Sequence, residues 1–117
     1  LQPALGRVGG ILEAKKIAGM AEASYAQIAP HLYCGPIEGA ANIQLSTCSP
    51  NFLILEGIQR WDGFHAEILK KPIRWESGYV IPPTEPGLGV ELDEEVALAN
   101  TYKETALHLE MADKPIR

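Results

Sequence analysis

Three short apolar stretches alternate with two amphipathic segments in the first half of the chain. The apolar stretches cover residues 1–4, 27–31 and 52–56. Between them, apolar residues recur at steps of three and four over residues 11–23 and again over residues 37–47, which predicts two helices. The order strand, helix, strand, helix, strand indicates parallel strands joined by right-handed crossovers, and therefore an α/β fold.

Each predicted helix has a signal at its start and an apolar stripe along one side. The glycine-rich residues 6–10 predict a turn before the first helix. Pro36 suits the first turn of the second helix, where its missing N–H would have had no partner. We expect the buried stripes to be formed by Ile11, Ala14, Ile17, Ala18, Met20 and Ala21 in the first helix, and by Ile37, Ala40, Ala41 and Leu45 in the second.

The second half of the chain differs in composition from the first, because prolines and glycines recur through residues 72–89. Regular helix is not expected there. Residues 73–76 and 79–81 flank Ser77-Gly78 and predict a small hairpin. Asp93 is predicted to cap a short helix, and residues 101–117 are predicted to be partly helical.

Composition narrows the class of protein. A chain of 117 residues with 46% apolar and 21% charged residues is typical of one folded domain or part of one. A formal net charge of −5 argues against a large phosphate-binding surface, so nucleic acid is not an expected partner. No apolar run approaches the ~18 residues that a membrane helix needs, so no membrane contact is expected.

The two cysteines, Cys34 and Cys48, form neither a Cys-x-x-Cys motif nor a dense disulfide framework. We therefore expect reduced thiols and a cytoplasmic location. Cys34 has no evident cationic neighbour that would lower its pKa, and it is expected to be a small buried or half-buried residue.

The candidate chemistry lies at the ends of two apolar stretches. His31 and Glu56 each close one of them, and the carboxyl ends of strands are where α/β folds place functional groups. His31 suits a general base, although a histidine bound only to backbone is an equal alternative. Burial at the strand edge would disfavour ionised Glu56; its alternative is an ion pair with a cation such as Arg60.

Other polar and aromatic residues have weaker functional signals. The glycine-rich turn lacks the spacing of a phosphate-binding loop, and His65 and His108 lack a metal-ligand pattern, so all are interpreted as structural. Trp61 could wall a pocket but equally could pack in the interior. The acidic residues Glu91, Asp93, Glu94 and Glu95 are interpreted as a solvated start of a helix rather than as catalytic carboxylates.

Several motifs in combination resemble the enolase superfamily. The similarity is greatest to its mandelate racemase branch, and within that branch to sugar-acid dehydratases similar to galactonate dehydratase. The motifs that carry the resemblance are Gln2-Pro3, Arg7-Val8-Gly9-Gly10-Ile11, Met20-Ala21-Glu22-Ala23, Ala29-Pro30-His31, Gly35-Pro36-Ile37, Asn51-Phe52 and Pro86-Gly87-Leu88-Gly89-Val90-Glu91.

The resemblance implies a position within a larger fold. Residues 1–63 would form the last strands and helices of a modified (β/α) TIM-type barrel. Residues 64–117 would form a Pro/Gly-rich segment and tail that packs near the capping domain. Three strands cannot close an eight-stranded barrel, so we expect the chain to be a C-terminal segment of a longer protein.

The resemblance also implies a function. It implies a Mg²⁺-dependent lyase that dehydrates an acid sugar through an enolate, with His31 as acid/base and Glu56 hydrogen-bonding the substrate. The Mg²⁺ ligands would lie on strands absent from this chain, so no metal or cofactor ligand is assigned here, and a homo-oligomer is expected. A racemase, epimerase or cycloisomerase of the same superfamily, or a non-catalytic relative, remains an alternative.

One residue departs from the pattern of the family it resembles. That pattern is Gln-Pro-Asp at the first strand end, the Asp forming a dyad with the histidine, whereas this chain has Ala4 at the third position. Without that carboxylate an imidazolium loses its orienting partner. Either another group substitutes for it, or His31 is a weaker base.

Overall fold

The computed structural model describes residues 1–57, 61 and 63–101. These residues form five helices and one two-stranded sheet. The elements are α1 (Leu5–Val8), α2 (Ile11–Ala23), α3 (Pro36–Thr47), α4 (Phe64–Glu67), β1 (Trp75–Glu76), β2 (Tyr79–Val80) and α5 (Glu94–Ala99).

The three predicted strands are present as extended segments in parallel order. A parallel bridge joins Ala4 to His31, and a second joins Ile28 to Phe52. The segment that contains residues 27–31 is therefore the central one. Since α2 and α3 connect successive parallel segments, the predicted order of elements is confirmed.

The pairing is shorter than predicted because two prolines interrupt it. The Ala29 N–H donates to the Leu1 carbonyl (2.7 Å) and the His31 N–H to the Pro3 carbonyl (3.1 Å), but the intervening bond would need the missing N–H of Pro3. On the other side, Ile28 makes both of its backbone bonds, and the next donor would be Pro30. Single bridges therefore replace the regular strands that were predicted.

The helix boundaries agree closely with the pattern. The predicted first helix is α2 over the same residues, and α3 begins at Pro36, one residue before the predicted start. The turn predicted over residues 6–10 is wrong in part, because residues 5–8 form the single helical turn α1. The turn itself is made by Gly9 and Gly10, whose φ angles of 104° and 90° lie in the region that favours glycine.

Small side chains let α2 and α3 lie close to the central segment. The core contains Ala14, Ala18 and Ala21 of α2 together with Leu5, Ile28 and Leu45. The predicted stripes are too wide, since Met20 is 67% exposed and Ile11 and Ile37 are also exposed. The buried face of α2 is therefore an alanine face.

Polar bonds tie the ends of these elements together. The Asn51 amide donates to the carbonyls of Ala18 (3.0 Å) and Ala26 (2.9 Å), and Lys15 Nζ donates to the Cys48 carbonyl (2.7 Å). Of these acceptors, the Cys48 carbonyl lies at the C-terminal end of α3, where helix carbonyls lack an intrahelical partner. These bonds connect α2 to the residues that follow α3.

The predicted features of the second half are mostly present. The hairpin forms as β1 and β2, with Trp75 opposite Val80, and Asp93 caps α5 by accepting from the Val96 N–H (3.1 Å). The one-turn helix α4 was not predicted. The partly helical tail was predicted over residues 101–117, of which residues 102–117 lie outside the described residues.

No helix in the described part of the chain is long and apolar enough to cross a membrane.

The alanine face of α2 gives a stability prediction. Because Ala18 is fully buried, Ala18→Leu should lower the free energy of unfolding of the full-length protein by about 1–3 kcal/mol through overpacking. Chemical denaturation measures this difference. The control is Met20→Leu on the exposed side of the same helix, for which a change within about 0.5 kcal/mol is expected; equal effects of the two substitutions would contradict the packing described.

Candidate active site

The fold brings the two candidate residues into contact. His31 Nδ1 lies 2.5 Å from Glu56 Oε2, and both side chains are about two-fifths exposed, at 39% and 43%. An ionised carboxylate can only accept hydrogen bonds. His31 Nδ1 is therefore the donor in this bond, and Nε2 lies on the other side of the ring.

Glu56 is held by a second donor. The Leu32 N–H donates to the same oxygen, Oε2, at 3.0 Å. This backbone bond, and after it the bond from His31, lower the pKa of Glu56 from its ordinary value of 4.5, and they outweigh the opposing effect of partial desolvation. The expectation that burial favours the protonated acid is wrong, because the exposed carboxylate is stabilised by donors instead.

The backbone of His31 is fixed from two sides. Its N–H donates to the Pro3 carbonyl (3.1 Å), and its carbonyl accepts from the amide of Asn42 in α3 (3.3 Å). Asn42 is fully buried and was not singled out from the sequence. The sequence does contain an indication of this role, because Asn42 is a polar residue on the buried side of an apolar helix. Buried polar groups require partners.

Ala4 flanks His31 on the side opposite Glu56. The two are partners in a parallel bridge, so their backbones lie side by side and their side chains share a face. Ala4 is also the N-cap of α1, without a side-chain cap bond. Its methyl group offers the imidazole no hydrogen-bond acceptor.

Cys34 differs from its prediction. It is exposed rather than buried or half-buried. A hydrogen bond with Glu38, and then partial burial, raise the pKa of the Cys34 thiol. A raised pKa disfavours the nucleophilic thiolate, so Cys34 is not part of the candidate chemistry.

The other candidates have packing or surface roles. Trp61 packs on α3, since a Cβ atom at Gly39 would lie 2.9 Å from its ring, and its ring centroid lies 6.2 Å from that of Trp75. His65 is exposed on α4. His108 and Arg60, the alternative partner of Glu56, lie outside the described residues.

The glycine-rich turn and the acidic cluster also have structural roles. The Gly6 N–H donates to Glu38 Oε1 at 3.0 Å, so a side-chain carboxylate occupies the position that an anion would need. In the acidic cluster, Glu91 pairs with Lys70 and Asp93 caps α5.

The described residues do not form a magnesium site. They contain no group of three or more His, Cys, Asp or Glu side chains that could hold a metal ion, and His31 with Glu56 is a single imidazole and carboxylate. Cavities of about 290 and 730 Å³ are present among the described residues, but neither is lined by His31 or Glu56. The pair is thus open to solvent in this part of the chain.

The sequence of residues 1–96 matches the enolase C-terminal domain-like family. The chain belongs to this family. A D-galactonate dehydratase from Ralstonia nicotianae is 43% identical over 106 residues, which cover 84% of this chain and 27% of that enzyme. The enolase C-terminal domain-like chain therefore spans about a quarter of the length of this curated relative.

The chain is also similar to solved structures of the same family. A provisional mandelate racemase/muconate lactonizing enzyme from Labrenzia alexandrii DFL-11 is 68% identical with a TM-score of 0.85, covering 93% of this chain and 28% of that chain. A mandelate racemase/muconate lactonizing enzyme from Sulfitobacter sp. is 55% identical with a TM-score of 0.83, covering 100% and 29%. These similarities agree with the α/β class of this enolase C-terminal domain-like chain.

The lowered pKa of Glu56 gives a pH prediction. An acid whose pKa is lowered on folding contributes stability above its unfolded pKa, and this contribution is lost as the pH falls through the folded pKa. The stability advantage of wild type over Glu56→Gln should therefore diminish as the pH falls below 4.5, the ordinary value for this acid. Denaturant unfolding at a series of pH values measures it; an advantage that grows below this pH would contradict the assignment.

Proposed function

We propose that this chain is the part of a sugar-acid dehydratase that carries its acid/base residue, His31. The observation that carries the proposal is the contact between His31 Nδ1 and Glu56 Oε2 at the carboxyl ends of adjacent parallel segments. Membership of the enolase C-terminal domain-like family and the similarity to D-galactonate dehydratase support it. The whole enzyme would be a lyase that removes water from its substrate.

The geometry suits His31 for proton transfer. With Nδ1 bound to Glu56, Nε2 is the nitrogen left to accept the proton from the carbon next to the substrate carboxylate. The protonated His31 then returns that proton to the hydroxyl group that departs from the neighbouring carbon, so that the hydroxyl leaves as water and a carbon–carbon double bond is formed. Oε1 of Glu56 receives no hydrogen bond from the described residues, so it is available to bind a substrate hydroxyl or a protonated substrate oxygen.

Several finer features are part of the same proposal. Mg²⁺ would stabilise the enolate charge when bound, with ligands supplied from outside the described residues. Residues 1–63 would belong to a (β/α) barrel and residues 64–117 would pack near a capping domain. The complete protein would be a cytoplasmic homo-oligomer, and its substrate would be an acid sugar.

The test is turnover by the full-length protein. A panel of acid sugars should yield dehydrated products, and His31→Asn should lower kcat by about 10²- to 10⁴-fold, the range typical of a lost general base. The control is His65→Asn, which removes an exposed imidazole from α4 and should leave kcat unchanged. Equal rates for wild type and His31→Asn would refute the role of His31.

The same assay separates the alternatives. Exchange of solvent deuterium at the carbon next to the carboxylate, without loss of water, would favour a racemase or epimerase, because one fold supports several outcomes of enolate chemistry. Absence of Mg²⁺ binding and of turnover would favour a non-catalytic relative, which Ala4 also supports. Isothermal titration of the full-length protein with Mg²⁺ supplies the binding result.

A further inference from the structure

Among the described residues, one carboxylate contacts His31. That carboxylate does not belong to residues 1–4, the segment that is bridged to His31. That bridging segment presents Ala4, which has no polar side-chain atom. The carboxylate comes instead from Glu56, on the far side of the central segment. Any orientation of the imidazole by an anion in this part of the chain therefore depends on Glu56.

Two hydrogen bonds hold the carboxylate of Glu56 close to the ring of His31. Oε2 of Glu56 accepts from the ring of His31 and also from the N–H of Leu32, the next residue along the chain. The acceptor is thus anchored to the same stretch of backbone that carries the imidazole. That backbone is held in turn by hydrogen bonds to the Pro3 carbonyl and from the buried amide of Asn42.

We propose that Glu56 is the positioning residue for His31, holding the proton on Nδ1 and leaving Nε2 free to act as the base. This proposal rests on the proposed function. It gives Glu56 a role beyond hydrogen bonding to a substrate, and it assigns to Glu56 the orienting task that Ala4 cannot perform. A carboxylate bound to one ring nitrogen fixes both the tautomer and the orientation of the ring.

The first test needs no substrate. In full-length protein labelled with ¹⁵N-histidine, the chemical shifts of the imidazole nitrogens of His31 report the tautomer at a pH high enough that these shifts no longer change with pH. Wild type should have the Nδ1–H tautomer, and Glu56→Ala should shift the population toward Nε2–H. The Glu22→Ala variant, which removes an exposed glutamate of α2, is the matched control and should not change the tautomer.

The second test is whether a carboxylate at position 4, on the other side of the His31 ring, can replace that of Glu56. Glu56→Ala should lower kcat by about 10- to 100-fold, as the loss of an orienting partner commonly does. Adding Ala4→Asp to Glu56→Ala should restore both the Nδ1–H tautomer and at least tenfold of the lost rate, because position 4 flanks His31. Ala4→Ser in the same background is the control, since it supplies an N-cap for α1 but no carboxylate, and it should restore neither.

The outcomes separate this proposal from the proposed function. An Nε2–H tautomer in wild type, or an unchanged tautomer in Glu56→Ala, overturns the positioning role whatever the rates are. Recovery of the Nδ1–H tautomer by Ala4→Asp without any recovery of rate also overturns it, because the lost rate would then belong to the substrate contact of Glu56 and not to the orientation of the ring. Absence of turnover in wild type overturns the proposed function, while the tautomer still tests the role of Glu56.

Discussion

The register of the three extended segments is the constraint on which the candidate site depends. Two parallel bridges determine which residues end side by side, and the alanine face of α2 lets that helix pack closely with Ile28 of the central segment. Counted from the bridge between Ile28 and Phe52, Glu56 lies level with Leu32, from whose N–H it accepts, and this places its carboxylate beside the ring of His31. The meeting of His31 with Glu56 is thus a property of the packed layer and not of either residue alone.

The ionisation of Glu56 in its pair with His31 depends mainly on a backbone N–H group. Ionised Glu56 is favoured first by the Leu32 N–H and then by His31, although its side chain faces solvent in part. Water screens such a charge, so directed hydrogen bonds, and not a buried field, determine its protonation. A carboxylate of this kind suits an orienting task, because it stays ionised over the pH range in which an imidazole transfers protons.

Local patterns could be predicted from the sequence, and contacts made by the backbone could not. The bounds of α2, the hairpin and the cap at Asp93 each follow from short-range preferences, and these predictions are confirmed. His31 and Glu56 were also identified as a pair, because each lies at the end of an apolar stretch. The ionisation of Glu56 was mispredicted because its main donor, the N–H of Leu32, has no side-chain signature.

The prolines beside the site have a consequence for its local stability. Pro30 ends the ladder between the central segment and residues 52–56, so no backbone bond of that ladder reaches Glu56 among the described residues. The Glu56 side chain replaces the missing backbone bond by accepting from Leu32. Local opening here is therefore limited by a side chain, and it is coupled to protonation, whereas a continuous strand would open through its amides alone. At this edge, one carboxylate oxygen accepts from both the Leu32 N–H and the imidazole of His31, so protonation of Glu56 weakens the two bonds together.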